Sequence, residues 1–381
     1  MGSRNQSDSN MVSDYDHRRE SPENFRILKG NMKIIHEPKL DFDNVLLVPK
    51  PNNLESRSGV NVTRRFTFKH SRQVWSGVPL ISANMTTVTS FTMARVLSNH
   101  QIMSAIPKYY EESELFEFYN NGFPYDYCWY TVGSSLEDLE KLRRVNSHKR
   151  GIDLICIDVA NGYRSSFLDA VARVRDQFPA ATIMAGNVVT PDMIEPLVNA
   201  GADIVKIGIG GGGGCLTRLK TGVGYPQLTA IIECGEVAYD LGAHICSDGG
   251  CKTPGDIAKA YAAGADFVML GSMLAGHLEV DAKRVLDADG KEFVEFYGMS
   301  SEKAMQEHGT GMADYRTSEG RHVMIPYRGS VENTILDILG GIRSAMTYLG
   351  ARTIEEIPDL ATFIKVSETH NKIYEQFGPK I

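Results

Sequence analysis

The chain has no apolar run long enough to cross a bilayer, no pair of cysteines at C-x-x-C spacing and no His-x-x-x-His pair. These absences exclude a helical membrane anchor, a thioredoxin-like redox motif and a zinc site of the common sequence types. Basic residues are also in deficit: 40 Lys and Arg stand against 47 Asp and Glu, a formal net charge of −7. A nucleic-acid surface needs clustered cations, so nucleic acid is not expected as a partner, although backbone N–H groups can still hold a small anion. Six cysteines in 381 residues, with no secretory leader pattern, read as reduced thiols rather than a disulfide framework. A soluble cytoplasmic protein without a membrane partner is the expectation.

The rest of the composition is that of an ordinary globular chain, 42% hydrophobic and 23% charged. Residues 1–31 are polar and aperiodic and cannot bury enough apolar surface to offset chain entropy. They are expected to be a disordered extension or, at Met-Gly-Ser, partly an expression remnant, with Met11 or Met32 as the native start. Residues 32–381 are expected to form one domain.

An internal repeat sets the fold. TPDMIEPLVNAGADIVKIG (190–208) aligns without a gap on TPGDIAKAYAAGADFVMLG (253–271). Thr190 and Thr253 are expected N-caps, with Pro191 and Pro254 at the first helical position. Gly201 and Gly264 would end the helices, and an apolar strand follows each. Similar apolar runs at 78–84, 101–107, 126–132, 154–160, 181–188, 204–209, 244–248 and 267–271 give eight strands alternating with helices. The expected fold is a (β/α)8 TIM barrel, with a long active-site excursion after strand eight and a last helix at 331–348. An open doubly wound sheet is the weaker alternative, because no Gly-x-Gly-x-x-Gly opens a helix after the first strand.

In such a barrel function collects at the C-terminal ends of the strands. After strand six comes Gly208-Ile209-Gly210-Gly211-Gly212-Gly213-Gly214-Cys215-Leu216-Thr217-Arg218. Five consecutive glycines read equally as a flexible loop or as a phosphate cradle. Cys215 at their end, with a hydroxyl and a cation close by in sequence, favours a nucleophile over an inert packed thiol. Ser247-Asp248-Gly249-Gly250 and Gly271-Ser272 follow strands seven and eight, where phosphate sites often form. Asp248 would suit sugar hydroxyls. The excursion adds Phe296-Tyr297-Gly298-Met299-Ser300-Ser301 and Tyr315-Arg316-Thr317-Ser318-Glu319-Gly320, while Glu302 and Glu307 read as solvated charges.

From about Leu40 to Thr347 these motifs resemble the IMP dehydrogenase/GMP reductase family, and its reductase branch more than its dehydrogenase branch. The resemblance runs through Leu47–Ser58, Val78–Val88, Asp158–Tyr163 and Ala185–Thr190. It continues through Lys220–Gln227, Ser247–Gly250, Phe296–Ser301 and Tyr315–Gly320. It implies a homotetramer that converts GMP to IMP and ammonia with NADPH, through a covalent thioimidate on Cys215, with Thr217 and Glu319 releasing the ammonia. It implies that Gly213, Gly214, Asp248, Gly249, Gly250, Gly271, Ser272, Gly298, Met299, Ser300, Arg316, Ser318 and Gly320 hold the nucleotide. Cofactor positions would be Ser56, Arg57, Lys108, Asp158, Ala160, Ile209, Gly210, Met299, Tyr315, Arg316, Ser344 and Thr347, the last two reaching a neighbouring subunit's site. Carbonyls of Gly210, Gly212, Cys215 and Arg218 would hold a monovalent cation, K+.

Family dehydrogenases carry a regulatory domain after the second strand and an Arg-Tyr pair on a flap. This chain has only a short connection and Tyr315-Arg316. It departs from the family pattern where Gly211 and Gly213 replace Pro and Ser, Thr86 replaces Asp, and Pro107-Lys108-Tyr109-Tyr110 replaces His-Lys-His-Tyr. A dehydrogenase without its regulatory domain and a non-catalytic purine-nucleotide-binding barrel remain as alternatives.

Overall fold

The structure, a computed structural model, describes residues 25–27, 33–147, 152–280, 282–308 and 317–367. Residues 1–39 group as one unit, in which Phe25–Ile27 pairs antiparallel with Lys33–Ile35. Most of the expected extension lies outside the described residues. Residues 40–381 group as the second unit, and no described helix is long and apolar enough to cross a membrane.

Eight parallel strands close the second unit into a (β/α)8 barrel: β1 (Val74–Ser82), β2 (Ile102–Ile106), β3 (Cys128–Val132), β4 (Leu154–Asp158), β5 (Thr182–Val188), β6 (Ile204–Ile207), β7 (His244–Asp248) and β8 (Phe267–Leu270). Closure is explicit, since Val268, Met269 and Leu270 of β8 pair with Leu80, Ile81 and Ser82 of β1. Every residue of β2, β3, β6 and β8 is buried. This is why those strands read as continuous apolar runs rather than alternating ones. Residues 107–127, the connection after β2, carry a single α-helix, Glu112–Asn120.

Between the strands, local signals place the helices. Leu136–Asn146 starts at Ser135, whose hydroxyl accepts from the Asp138 N–H while Asp138 reaches back to Ser135, and it buries Leu139, Leu142 and Val145 on one face. The two repeats differ at their starts. Thr253 caps Pro254–Ala262 through the Asp256 N–H as expected. Thr190 makes no cap bond. Its hydroxyl instead meets Asp192 and the Tyr163 hydroxyl, and a 3-10 turn, Pro191–Met193, precedes the short helix Ile194–Asn199.

Two features were not read from the sequence. Arg64–Thr67 pairs antiparallel with the first residues of β1 and plugs the N-terminal end of the barrel with aromatics. Phe66 stacks on Phe267 at 4.3 Å and lies 6.0 Å from Trp75. The excursion after β8 is a three-stranded antiparallel sheet, β9 (Arg284–Leu286), β10 (Glu292–Tyr297) and β11 (His322–Pro326), with a short helix Glu302–Glu307. The last long helix, Val331–Leu349, ends at Gly350, which adopts φ +83°.

Because Phe267 is fully buried in the plug and on β8, Phe267→Ala should destabilise the fold by about 3–5 kcal/mol. Denaturant unfolding of the two proteins measures this; a loss under about 1 kcal/mol would mean that the plug repacks.

Candidate active site

Backbone approach decides the shape of the C-terminal mouth. A Cβ on Gly208 would lie 1.9 Å from the Asp248 carbonyl oxygen, and one on Gly249, which has φ +97°, would lie 3.1 Å from the Gly212 N. The loops after β6 and β7 therefore lie backbone against backbone, which only glycine permits. Beneath them Gln227 is fully buried. Its Nε2 donates to the Ile207 carbonyl at 2.8 Å and to Ser247 Oγ at 3.2 Å, tying the ends of β6 and β7 together.

The excursion meets this loop in a short antiparallel bridge between Cys215 and Gly320. Leu216 N donates to the Glu319 carbonyl at 2.6 Å and Arg321 N to the Gly214 carbonyl at 2.8 Å. Glu319 and Gly320 in turn donate N–H groups to the Ser300 carbonyl at 3.1 and 3.2 Å. A side chain on Gly320 would strike the Ser301 N at 2.5 Å, so that close packing also demands glycine. The bridge brings three side chains into line. Cys215 Sγ lies 3.2 Å from Thr217 Oγ1, which donates to Glu319 Oε2 at 2.6 Å. A half-exposed thiol, a hydroxyl and a carboxylate in series can offer a nucleophile and pass a proton.

Deeper in the barrel, Lys206 Nζ lies 2.6 Å from Asp158 Oδ1 and 2.7 Å from Asp248 Oδ2. Asp248 Oδ2 also accepts from Asn187 Nδ2 at 2.9 Å. Burial opposes the charge on Lys206, but the two carboxylates outweigh it and hold its pKa well above the ordinary lysine value. Burial would likewise raise Asp158, yet Lys206, helped by Asn84 and Lys108, holds it below the usual carboxylate value.

Cys215, Thr217, Glu319, Asn187, Lys206, Asp158 and Asp248 line one cavity of about 270 Å³. A family model described as "IMP dehydrogenase / GMP reductase domain" matches residues 39–372. The chain belongs to that family. Among its curated relatives are proteins named GMP reductase from Escherichia coli O139:H28 (strain E24377A / ETEC) and from Escherichia coli (strain K12 / DH10B). Each is 51% identical over 345 residues, covering 90% of this chain and 99% of the relative.

The cavity of this family member gathers most of the residues that the sequence singles out. Gly213, Gly214, Asp248, Gly249, Gly250, Gly271, Ser272, Gly298, Met299, Ser300 and Gly320 line it with Cys215, Thr217 and Glu319. So do Asp158, Ala160, Ile209, Gly210 and Gly212. Ser318 does not; its hydroxyl accepts from the Glu302 N–H in a neighbouring groove. Lys108 does not line the cavity, although its charge helps hold the Asp158 pKa down. Ser56 and Arg57 form a turn that packs near the helix bearing Ser344 and Thr347, away from this chain's cavity. Tyr315 and Arg316 lie outside the described residues.

Two expectations need correction. Arg218 does not serve Cys215: its guanidinium is held by Asp41 at 2.8 Å and by the Tyr225 carbonyl at 2.7 Å. Glu307 is not merely solvated, because it accepts from the Tyr297 hydroxyl and pairs with Lys303 at 2.9 Å. The bond from Tyr297 is the main cause that holds its pKa down. Lys206, Asn187 and Gln227 were missed. A lysine in the middle of the apolar run Ile204–Ile207 was the available signal for the first, since an unpaired buried charge is not tolerated.

The other five cysteines are buried, and burial pushes the thiols of Cys128 and Cys234 up to about 12. Brief treatment of the native protein with iodoacetamide at neutral pH should therefore modify Cys215 first. Peptide mass spectrometry reads the site, and early labelling of Cys251 instead would contradict this geometry.

Proposed function

We propose that the chain catalyses the NADPH-dependent reductive deamination of GMP to IMP and ammonia. The observation that carries this reading is the Cys215–Thr217–Glu319 series, built across the bridge between two loops that are otherwise remote in sequence. Membership of the family and the name of its relatives support the substrate class.

In this reading Cys215 Sγ bonds to C2 of the purine as the C2–NH2 bond breaks. Thr217 delivers a proton to the departing nitrogen and is recharged through Glu319, so that ammonia rather than amide leaves. The product of that step is a thioimidate on Cys215. A bound nicotinamide supplies hydride to C2. Cys215 then leaves as thiolate, which a poor carbon or nitrogen leaving group could not do as readily. The sum is GMP, reduced cofactor and two protons giving IMP, oxidised cofactor and ammonium.

The residues present fit these ligands. Asp248 has one oxygen engaged by Lys206 and Asn187, which leaves the other for ribose hydroxyls. Asp158 and Ala160, lining the same cavity, suit the cofactor. The loop offers neutral carbonyl oxygens at Gly210, Gly212, Cys215 and Arg218, the donor type that suits K+. Gly212 and Arg218 each accept one internal N–H, and a carbonyl retains a second lone pair. Ser56 and Arg57 remain proposed cofactor positions, and Ser344 and Thr347 would act on a neighbouring copy's site within a homotetramer.

The decisive experiment mixes protein with GMP and NADPH, or with IMP and NAD+, and follows reduced-cofactor absorbance. Loss of NADPH with release of ammonia is expected, and Cys215→Ala should abolish it while leaving GMP binding intact. Reduction of NAD+ with IMP would identify a dehydrogenase instead, and GMP binding without turnover in the wild type a non-catalytic barrel.

The phosphate loop yields a second outcome. A Cβ on Gly213 would lie 3.4 Å from Ser272 Oγ, ordinary contact with room for a serine hydroxyl. Gly213→Ser should add one hydrogen bond to a charged phosphate and remove loop freedom, tightening GMP binding about tenfold. Titration calorimetry of GMP measures this; unchanged affinity would show that Ser272 and backbone N–H groups already satisfy the phosphate.

A further inference from the structure

The pairing of strands β4 to β7 places three charged groups on one inner wall. Gly186 of β5 pairs with Asp158 on one side and with Lys206 on the other. Having no side chain, it leaves nothing between them; a Cβ there would lie 2.4 Å from the Lys206 carbonyl oxygen and 2.7 Å from its Cβ. Across the other edge Lys206 pairs with Cys246, so Asp248, two residues on, faces the same side. The Lys206 side chain is 3% exposed, against 32% for Asp158 and 22% for Asp248. The ammonium thus sits almost wholly buried at the cavity wall, while both carboxylates are more open to the cavity. No described residue other than Lys206 bonds both. Cys156 and Cys246, also near it, are buried thiols whose pKa burial pushes up, and Lys108 acts on Asp158 only through its charge, with no ion pair to it.

We infer that Lys206 is a positioning residue that serves as the single shared counter-ion of the nucleotide carboxylate Asp248 and the cofactor carboxylate Asp158, and so couples the two subsites. This rests on the functional reading above, which assigns those carboxylates to GMP and to the dinucleotide. Each carboxylate gives one oxygen to the ammonium; Asp248 keeps the other for a sugar, while Asp158 also accepts from Asn84. Removing the cation leaves two negative groups close together in a low-dielectric wall, where both cannot remain ionised and correctly oriented. The defect must therefore appear at both subsites at once, and neutralising either carboxylate must relieve the other.

The test is calorimetric binding of GMP and, separately, of NADPH to the full-length protein. Lys206→Met, which keeps length but not charge, should weaken each ligand about tenfold or more. Adding Asp158→Asn to Lys206→Met should bring GMP affinity back to within about threefold of wild type, although Asp158 lies on the cofactor side, while NADPH stays weak. A purely structural lysine predicts no such rescue, so GMP affinity that remains as weak in the double variant overturns the inference. Wild-type affinity for either ligand in Lys206→Met overturns it as well. Should Lys206→Met not fold, the double variant, which carries no unbalanced buried pair, is tested alone against the same two affinities. A wild-type protein that binds no GMP would instead remove the functional reading, and this inference with it.

Discussion

The chemistry at the barrel mouth hangs on a few backbone hydrogen bonds between residues 214–216 and 319–321. Without them Cys215 and Thr217 would be neighbours on one glycine-rich loop, and Glu319 would belong to a distant hairpin. With them, a carboxylate stands 2.6 Å from a hydroxyl that stands 3.2 Å from a thiol. Main-chain bonds of this kind do not depend on side-chain rotamers. The loop therefore keeps its register on the excursion even though five of its residues have no side chain with which to hold it.

That loop is a compromise between approach and order. Gly208 requires glycine because a Cβ would collide with the Asp248 carbonyl, and Gly249 because it has φ +97° and a Cβ would crowd the Gly212 N. At Gly211, Gly212 and Gly213 nothing comparable is in the way: the nearest neighbours of an added Cβ lie at 3.4, 3.7 and 3.4 Å. There, glycine adds conformational entropy to the unligated loop without a steric reason. Gln227, pinned to Ile207 and Ser247, and the bridge to Gly320 restrain the loop at its base and at its end. What is left free is the middle, opposite Ser272.

How far the sequence discloses this depends on whether a feature is local. The Thr-Pro and Ala-Gly-Ala-Asp repeat reports helix starts and stops, and the apolar runs report buried parallel strands, so all eight barrel strands were legible to within a few residues. Local reading failed where tertiary partners compete. Thr190 looks like Thr253 but gives its hydroxyl to Asp192 and Tyr163, and Arg218 sits near Cys215 in sequence yet is drawn to Asp41. The plug formed by Phe66 and the antiparallel excursion sheet depend on pairings that no periodicity announces. Lys206 could have been suspected as a charge within a buried strand, but its partners lie on β4 and β7. Only the register through Gly186 shows that one ammonium reaches both.

The position of the charges makes an acidic chain compatible with the anionic nucleotide proposed above. The carboxylates that face the cavity do not stand alone: Lys206 offsets Asp158 and Asp248 from behind, and Thr217 takes one oxygen of Glu319. Each acid thereby has part of its charge engaged by protein groups rather than facing the cavity in full. The same cavity is also lined by Gly213, Gly214, Gly249, Gly250, Gly271 and Ser272, which bring N–H groups and a hydroxyl but no cation. A sugar phosphate can therefore lie with its hydroxyls toward the acids and its anion toward backbone dipoles. Under the proposed function, the orientation of the nucleotide would be set by the direction of fixed dipoles, which the backbone contacts of the glycines enforce, and not by net charge.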